Sequence, residues 1–289
     1  MTSRDPSISV KAAYQHCLKI SRNHYENFPV ASWVLPRRMR KPVAAIYAFA
    51  RMADDLADEG DLDNDSRIEQ LDSMARQLDA IAANHIPNDA MYIALADTIQ
   101  KYSLPIELFH DLLSAFKQDI TIKRYADFGE IMNYCRRSAN PVGRLLLYLY
   151  GQTDRQSLGQ SDAICSALQL INFYQDLHQD YQEMGRIYIP LDEMKASFVT
   201  ENHIKNRRSD GPMLHLMRKQ YERANKLLNA GAPLGKTLKG RFGFEIRLII
   251  AAGSRVIQKL YQQNNNLFSR PRLNKADWLW IFWKALRAK

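Results

Sequence analysis

Apolar positions recur at intervals of three and four along almost the whole chain, the period of a helix that buries one face. The pattern predicts helices over 9–25, 38–59, 65–83, 88–101, 104–118, 127–135, 139–150, 158–183, 210–230, 236–264 and 275–287. Breaks fall at Pro36, Gly60, Pro87, Pro105, Gly151, the Gly185–Pro190 segment, Gly231–Pro233 and Pro271, residues that stop a helix or turn the chain. Pro42 lies inside 38–59 and is expected either to open that helix or to kink it. Strand signals are scarce: ITIKRY at 120–125 is too short and isolated to carry a sheet. No repeat, low-complexity tract or linker divides the chain. An all-α fold is expected, one helical bundle over 1–289 with its site on facing helices.

Composition changes this picture little. Hydrophobic residues make up 46% and charged residues 25% of the 289, the proportions of a globular protein rather than a disordered one. Cys17, Cys135 and Cys165 show no ligand spacing and fit a reducing compartment without structural disulfides. The N-terminal stretch has no apolar signal region, and no run approaches the ~18–20 apolar residues of a membrane span. A cytoplasmic protein is expected. The net charge of +9 is compatible with nucleic acid, an anionic membrane surface or a phosphorylated substrate. Nucleic acid is not expected, because no binding motif is present and no aromatics interleave the basic run Arg37, Arg38, Arg40 and Lys41. That run is a solvated face or a phosphate contact.

Two acidic stripes carry the candidate chemistry. In AAIYAFARMADDLADEG, Tyr47, Arg51, Asp54 and Asp58 step by four, three and four and share one face. Carboxylates one turn apart are separated by about 6 Å along the axis, close enough to share cations. Gln169, Asn172, Asp176 and Asp180 repeat the arrangement, with Ile164, Leu168, Ile171 and Phe173 expected on the opposite, core-facing side. Arg186 follows where this second helix ends. Either stripe alone reads equally as a polar or solvated face; two of them, each with an arginine nearby, point to chemistry. Acidic residues near a helix C-terminus also oppose its dipole, so something must compensate them, and divalent cations would. Hard oxygen ligands suit Mg²⁺ completed by phosphate oxygens, a clamp that assists departure of a diphosphate. Zinc, nucleotide-triphosphate and Rossmann motifs are all missing.

These residues resemble the squalene/phytoene synthase family. The resemblance runs from about His24 to Tyr261 and rests on Leu35–Pro36, AIYAFAR at Ala45–Arg51, DDLADE at Asp54–Glu59, Tyr134–Gly143, and QLINFYQDLHQDYQEMGRIYIP at Gln169–Pro190. It implies an isoprenoid-synthase fold, with Asp54, Asp58, Asn172, Asp176 and Asp180 as Mg²⁺ ligands. It also implies that Tyr47, Arg51, Tyr134, Arg186 and Tyr188 lie near the diphosphate or the cationic intermediates. Gln169 is counted with the substrate-binding residues. Two segments depart from the usual family pattern: His24–Pro29, and Arg137–Gly143 after Tyr-Cys. Both are similar to the hydroxysqualene synthases of bacterial hopanoid biosynthesis. That likeness implies presqualene diphosphate as substrate and water, rather than a nicotinamide hydride, as the final nucleophile; no NADPH is expected. The alternative within the family is a synthase that condenses two prenyl diphosphates. In this reading Tyr25, Asn27, Phe28, Arg136, Arg137 and Asn140 surround the quenching step: the polar groups hold water and the aromatics shield the cation. Glu26, Asn27 and Asn140 read equally as helix caps or supporting hydrogen-bond partners.

The tail RPRLNKADWLWIFWKALRAK holds three of the four tryptophans. Trp278, Ile281 and Phe282 are expected on one helical side with Trp280 and Trp283 flanking and Lys284, Arg287 and Lys289 following. The helix is either a cap packed on the bundle or an interfacial anchor giving peripheral contact with the inner membrane.

Overall fold

The computed structural model describes residues 8–23, 34–263 and 266–288. Among them every regular element is helical: α1 (Val10–Asn23), α2 (Arg37–Asp58), α3 (Asn64–Ala82), α4 (Ala90–Tyr102), α5 (Glu107–Thr121), α6 (Phe128–Ser138), α7 (Asn140–Tyr150), α8 (Arg155–Met184), α9 (Leu191–Ala196), α10 (Glu201–Lys205), α11 (Gly211–Gly231), α12 (Leu234–Thr237), α13 (Gly240–Gln262) and α14 (Lys275–Arg287). Every helix expected from periodicity is present. The short α9, α10 and α12 are additional. The expected helix 236–264 is shorter, because the chain breaks at Lys239 and restarts at Gly240, whose φ is +64°. No helix among the described residues is long and apolar enough to cross a membrane.

The starts of many helices are written in the sequence as acidic or amide caps. Asp63, Asp89, Asp127, Asp154, Asp210 and Asn274 each accept a hydrogen bond from a backbone N–H in the first turn that follows, satisfying donors the helix itself leaves open.

Pro42 neither opens α2 nor ends it; the helix runs through it from Arg37 to Asp58. Its missing N–H would have bonded the carbonyl of Arg38. That carbonyl instead accepts the Tyr102 hydroxyl at 3.3 Å, so the lost helix bond is replaced by a tie to α4.

The chain forms two compact units, interleaved along the sequence: residues 1–121 with 144–153, and residues 122–143 with 154–289. In the first, α2 packs against α1, α3, α4 and α5. Ala44, Ala45, Ala48 and Ala53 are buried and let the neighbouring backbones approach, while Phe49 meets Phe109 of α5 edge-on at 5.5 Å. In the second, α8 packs against α6, α10, α11, α12 and α13. The approach of α11 is close enough that a Cβ at Gly231 would stand 2.5 Å from the carbonyl oxygen of Gln160. Each unit therefore surrounds one helix, and those two helices carry the acidic stripes.

Candidate active site

On α2, Arg51 organises the acidic end. Its guanidinium lies 3.2 Å from Asp54, 2.5 Å from Asp55 and 2.6 Å from Glu59. Burial alone would lower the Arg51 pKa, but the three carboxylates outweigh it and raise it further. Arg67, reaching over from α3, donates to the carbonyls of Leu56, Gly60 and Leu62 at 3.1, 2.7 and 2.9 Å. A cation thus sits where the helix dipole is negative. Arg51 and Arg67 contribute charge and dipole compensation at the end of α2, in addition to any from divalent cations. Tyr47 and Asp54 are half-buried and Asp58 is exposed, so the stripe is open to ligands.

On α8 the balance differs. Asp176 is mostly buried, and its Oδ1 accepts no aligned hydrogen bond although Arg270 Nε stands 2.7 Å away. The contact is an ion pair without hydrogen-bond geometry. Burial raises the Asp176 pKa despite the arginine. Asp180, one turn on, is pushed up to about 7 by burial and by the charge of Asp176, against the pull of Arg186 and Arg270. Two carboxylates that burial drives toward the neutral form, Asp180 also by the charge of Asp176 and one with an orphaned oxygen, have the chemistry of a cation site. Half-buried Asn172 and Gln169 continue the stripe. No three His, Cys, Asp or Glu side chains among the described residues gather into a ready-made metal site. The ligand set fits Mg²⁺ in the open form, where water and phosphate oxygens complete the shell.

The end of α8 positions Arg186. Gly185 adopts φ +65°, and the Arg186 N–H returns to the Asp180 carbonyl at 3.0 Å, a glycine-dependent helix closure. The buried Arg186 is thereby held beside the carboxylate it stabilises. Arg124 locks this turn by donating to the Gly185 carbonyl and clamping Glu201 with two bonds of 2.7 Å. Backbone bonds from Ile187 to Lys123 and from Leu191 to Tyr125, each 3.0 Å, then align the two irregular segments.

That alignment builds an aromatic cluster. Phe173 and Tyr188 stack at 3.6 Å, Tyr125 stacks on Tyr188 at 5.6 Å, and Tyr134 lies 6.0 Å from Phe173 and 5.8 Å from Tyr188. The expected site residues Tyr134 and Tyr188 are brought together. Phe173 is buried, but at helical pitch it flanks Asp176 and Asp180 rather than facing away from them. Tyr125, Phe173 and Arg270 are the participants that sequence reasoning missed.

Other candidates are placed less centrally. Asn140 is buried at the start of α7, and its Oδ1 accepts a 2.9 Å bond from Ser166 Oγ on α8. Arg136 is exposed and donates to Asn133 Oδ1, while Arg137 donates to the Asn133 carbonyl; both complement the C-terminal dipole of α6. Tyr25, Asn27 and Phe28 lie outside the described residues, as does Glu26.

A sequence model of the squalene/phytoene synthase family matches residues 21–278. The chain belongs to this family. A hydroxysqualene synthase of Rhodopseudomonas palustris is 34% identical over 88% of this chain and 85% of its own length. One from Zymomonas mobilis is 32% identical over 96% and 93% respectively. Among solved structures, the squalene synthase HpnC from Alicyclobacillus acidocaldarius superposes with a TM-score of 0.83 at 32% identity, covering 88% of this chain and 95% of that one. As a squalene/phytoene synthase family member, the chain has the all-α fold of these synthases.

Proposed function

We propose that this protein is a hydroxysqualene synthase, a lyase that ionises presqualene diphosphate, lets the cation rearrange and captures it with water. The observation that carries the reading is the α8 stripe. A half-buried carboxylate pair and a buried arginine adjoin an aromatic cluster on the same helix and the segment following it. The extensive likeness to hydroxysqualene synthases supports the substrate and outcome.

Asp54 and Asp58 on α2, and Asn172, Asp176 and Asp180 on α8, would hold Mg²⁺, which supplies charge neutralisation for a leaving diphosphate. Arg186 and Arg51 add fixed positive charge beside those carboxylates. The faces of Tyr134, Phe173 and Tyr188 offer π density to a carbocation and exclude water from it until rearrangement is complete. Asn140 accepts from Ser166 at one lone pair of its oxygen and keeps its N–H donors for a water; a neutral carboxamide is not a base. It can orient the nucleophile; it cannot take its proton.

The test offers presqualene diphosphate or farnesyl diphosphate to purified protein with Mg²⁺, each with and without NADPH. Alcohol from presqualene diphosphate without NADPH is expected. Turnover of farnesyl diphosphate alone would instead assign a condensing synthase, the reading favoured by the name of the HpnC neighbour. Asp54→Ala and Asp176→Ala should each lower turnover at least about a hundredfold with helical content unchanged.

A further inference from the structure

The helix α14 has two unlike sides. Its inner side packs on α13 through Asp277, Ile281 and Ala285, which are 1%, 0% and 0% exposed. Asp277 is fixed there by Arg255 and Lys259 of α13, both at 2.7 Å, and by a reciprocal capping box with Asn274. Arg247 of α13 donates to the Ala285 carbonyl at 2.9 Å and to the Gly235 carbonyl at 2.7 Å, so one guanidinium ties the end of α14 to α12. The helix is rigidly seated, and Ile281 belongs to this inner side, not with Trp278 and Phe282 as expected from sequence.

The outer side exposes Trp278 by 44%, Leu279 by 74%, Phe282 by 49%, Trp283 by 50% and Leu286 by 46%. At about 100° per residue these five occupy one continuous arc of about 140°. A bundle helix fixed this firmly has no folding reason to leave such a band in water, and contiguous exposed apolar surface marks an interaction site. Arg287 borders the arc and lies 3.8 Å over the Trp283 ring, and exposed Lys275 stands on the same side at the start of the helix. Exposed Lys236 adjoins Gly235 at the α12 tie. From Leu234 to Ala288 the only acidic residues are Glu245 and Asp277, and both are buried. The surface around the band is therefore positive.

We propose that the outer side of α14 docks on an anionic phospholipid bilayer. Trp278, Leu279, Phe282 and Trp283 enter the headgroup–acyl boundary, while Lys275, Arg287 and Lys236 meet lipid phosphates. Charge decides for this occupant over a second copy of the chain. A two-fold contact through α14 would press two surfaces bordered by Lys275, Arg287 and Lys236 against each other, whereas an anionic bilayer presents the opposite sign. The proposal rests on this surface and not on the reaction assigned above.

Co-sedimentation of the full chain with phosphatidylcholine vesicles, with and without phosphatidylglycerol, tests it. Wild type should bind the mixed vesicles at least tenfold more tightly than phosphatidylcholine alone. Leu279→Glu with Trp283→Glu, and separately Lys275→Gln with Arg287→Gln, should each weaken binding to the mixed vesicles at least tenfold. Circular dichroism and the thermal midpoint should stay at wild-type values, since these side chains lie off the packed face. Failure of wild type to sediment, or unchanged binding by the Leu279/Trp283 variant, overturns the proposal. A wild-type dimer that this variant converts to monomer overturns it in favour of a second copy.

Discussion

Arg270 Nε stands 2.7 Å from Asp176 Oδ1, joining the segment between α13 and α14 to the middle of the α8 stripe. The carboxylate is mostly withdrawn from water while the arginine is exposed, and burial raises the Asp176 pKa despite the pairing. Arg270 therefore offsets only part of the charge problem on this stripe. A cation bound by Asp176 and Asp180 would supply the remainder while competing with the arginine for the same oxygen. Arg270→Gln should lower the Mg²⁺ concentration giving half-maximal rate, because a more negative stripe attracts the cation more strongly. The maximal rate should fall about tenfold as a donor for the diphosphate is lost. A Mg²⁺ titration of initial rates separates the two effects; an unchanged half-saturation would deny the competition.

The aromatic cluster invites a separation of ring from hydroxyl. If ring faces protect a cation, Tyr134→Phe keeps most of the rate and Tyr134→Leu loses roughly tenfold or more in kcat, with KM nearly unchanged. Phe173→Leu should behave like the latter, because Phe173 provides the face stacked on Tyr188 at 3.6 Å. Steady-state kinetics and product analysis by gas chromatography check both. Equal losses in Tyr134→Phe and Tyr134→Leu would move the role to the hydroxyl.

Asn140 and Ser166 form a buried pair whose members make different contributions. Ser166→Ala removes the 2.9 Å bond but keeps the carboxamide; Asn140→Leu removes both. Each should destabilise the fold by about 1–3 kcal/mol, since a buried polar partner is left without its bond. Only Asn140→Leu should reduce the alcohol fraction among the products severalfold. If Ser166→Ala reduces it as much, the pair acts through packing and not by orienting water.

Asp277 makes the fold acid-sensitive at a known place. Burial alone would raise its pKa, but the Asn274 N–H, Lys259 and Arg255 reverse this and hold it at about 2. An unfolded Asp titrates near about 3.9, so the folded value is depressed. The stability this clamp contributes is complete above about pH 4 and is lost as pH falls from there through about 2. Asp277→Asn should cost about 3 kcal/mol at neutral pH, leaving Arg255 and Lys259 without their partner. It should also flatten the acid limb of stability against pH, measured by urea unfolding between pH 2 and 7.

The features legible in the sequence were those set by local pattern. α2 and α8 announce themselves through long apolar periodicity and turn residues, and their carboxylate steps are fixed by helical pitch alone. The family resemblance then attached a chemistry to those steps. Less visible was whatever depends on contacts between distant segments. The short helices α9, α10 and α12 are too brief to outlast their nucleation cost unaided. They are held by Glu193–Arg223, Arg124–Glu201 and the Arg247–Gly235 bond. Arg67 and Arg270 carry no sequence signal of their roles, because nothing in sequence brings either near α2 or α8. Pro42 could not be resolved from pattern either: its tolerance depends on Tyr102, which lies on another helix. On α14, Ile281 and Phe282 are adjacent and equally apolar; only the Asp277 clamp shows which of them turns inward.

The central claim is that the bond from carbon to the diphosphate oxygen breaks and that water supplies the new oxygen. The most direct measurement is turnover of presqualene diphosphate with Mg²⁺ in ¹⁸O-enriched water, without NADPH, followed by mass spectrometry of the product. An alcohol carrying one solvent-derived ¹⁸O is the result this account requires. An unlabelled alcohol, which would mean cleavage at phosphorus, or a hydrocarbon product would contradict it.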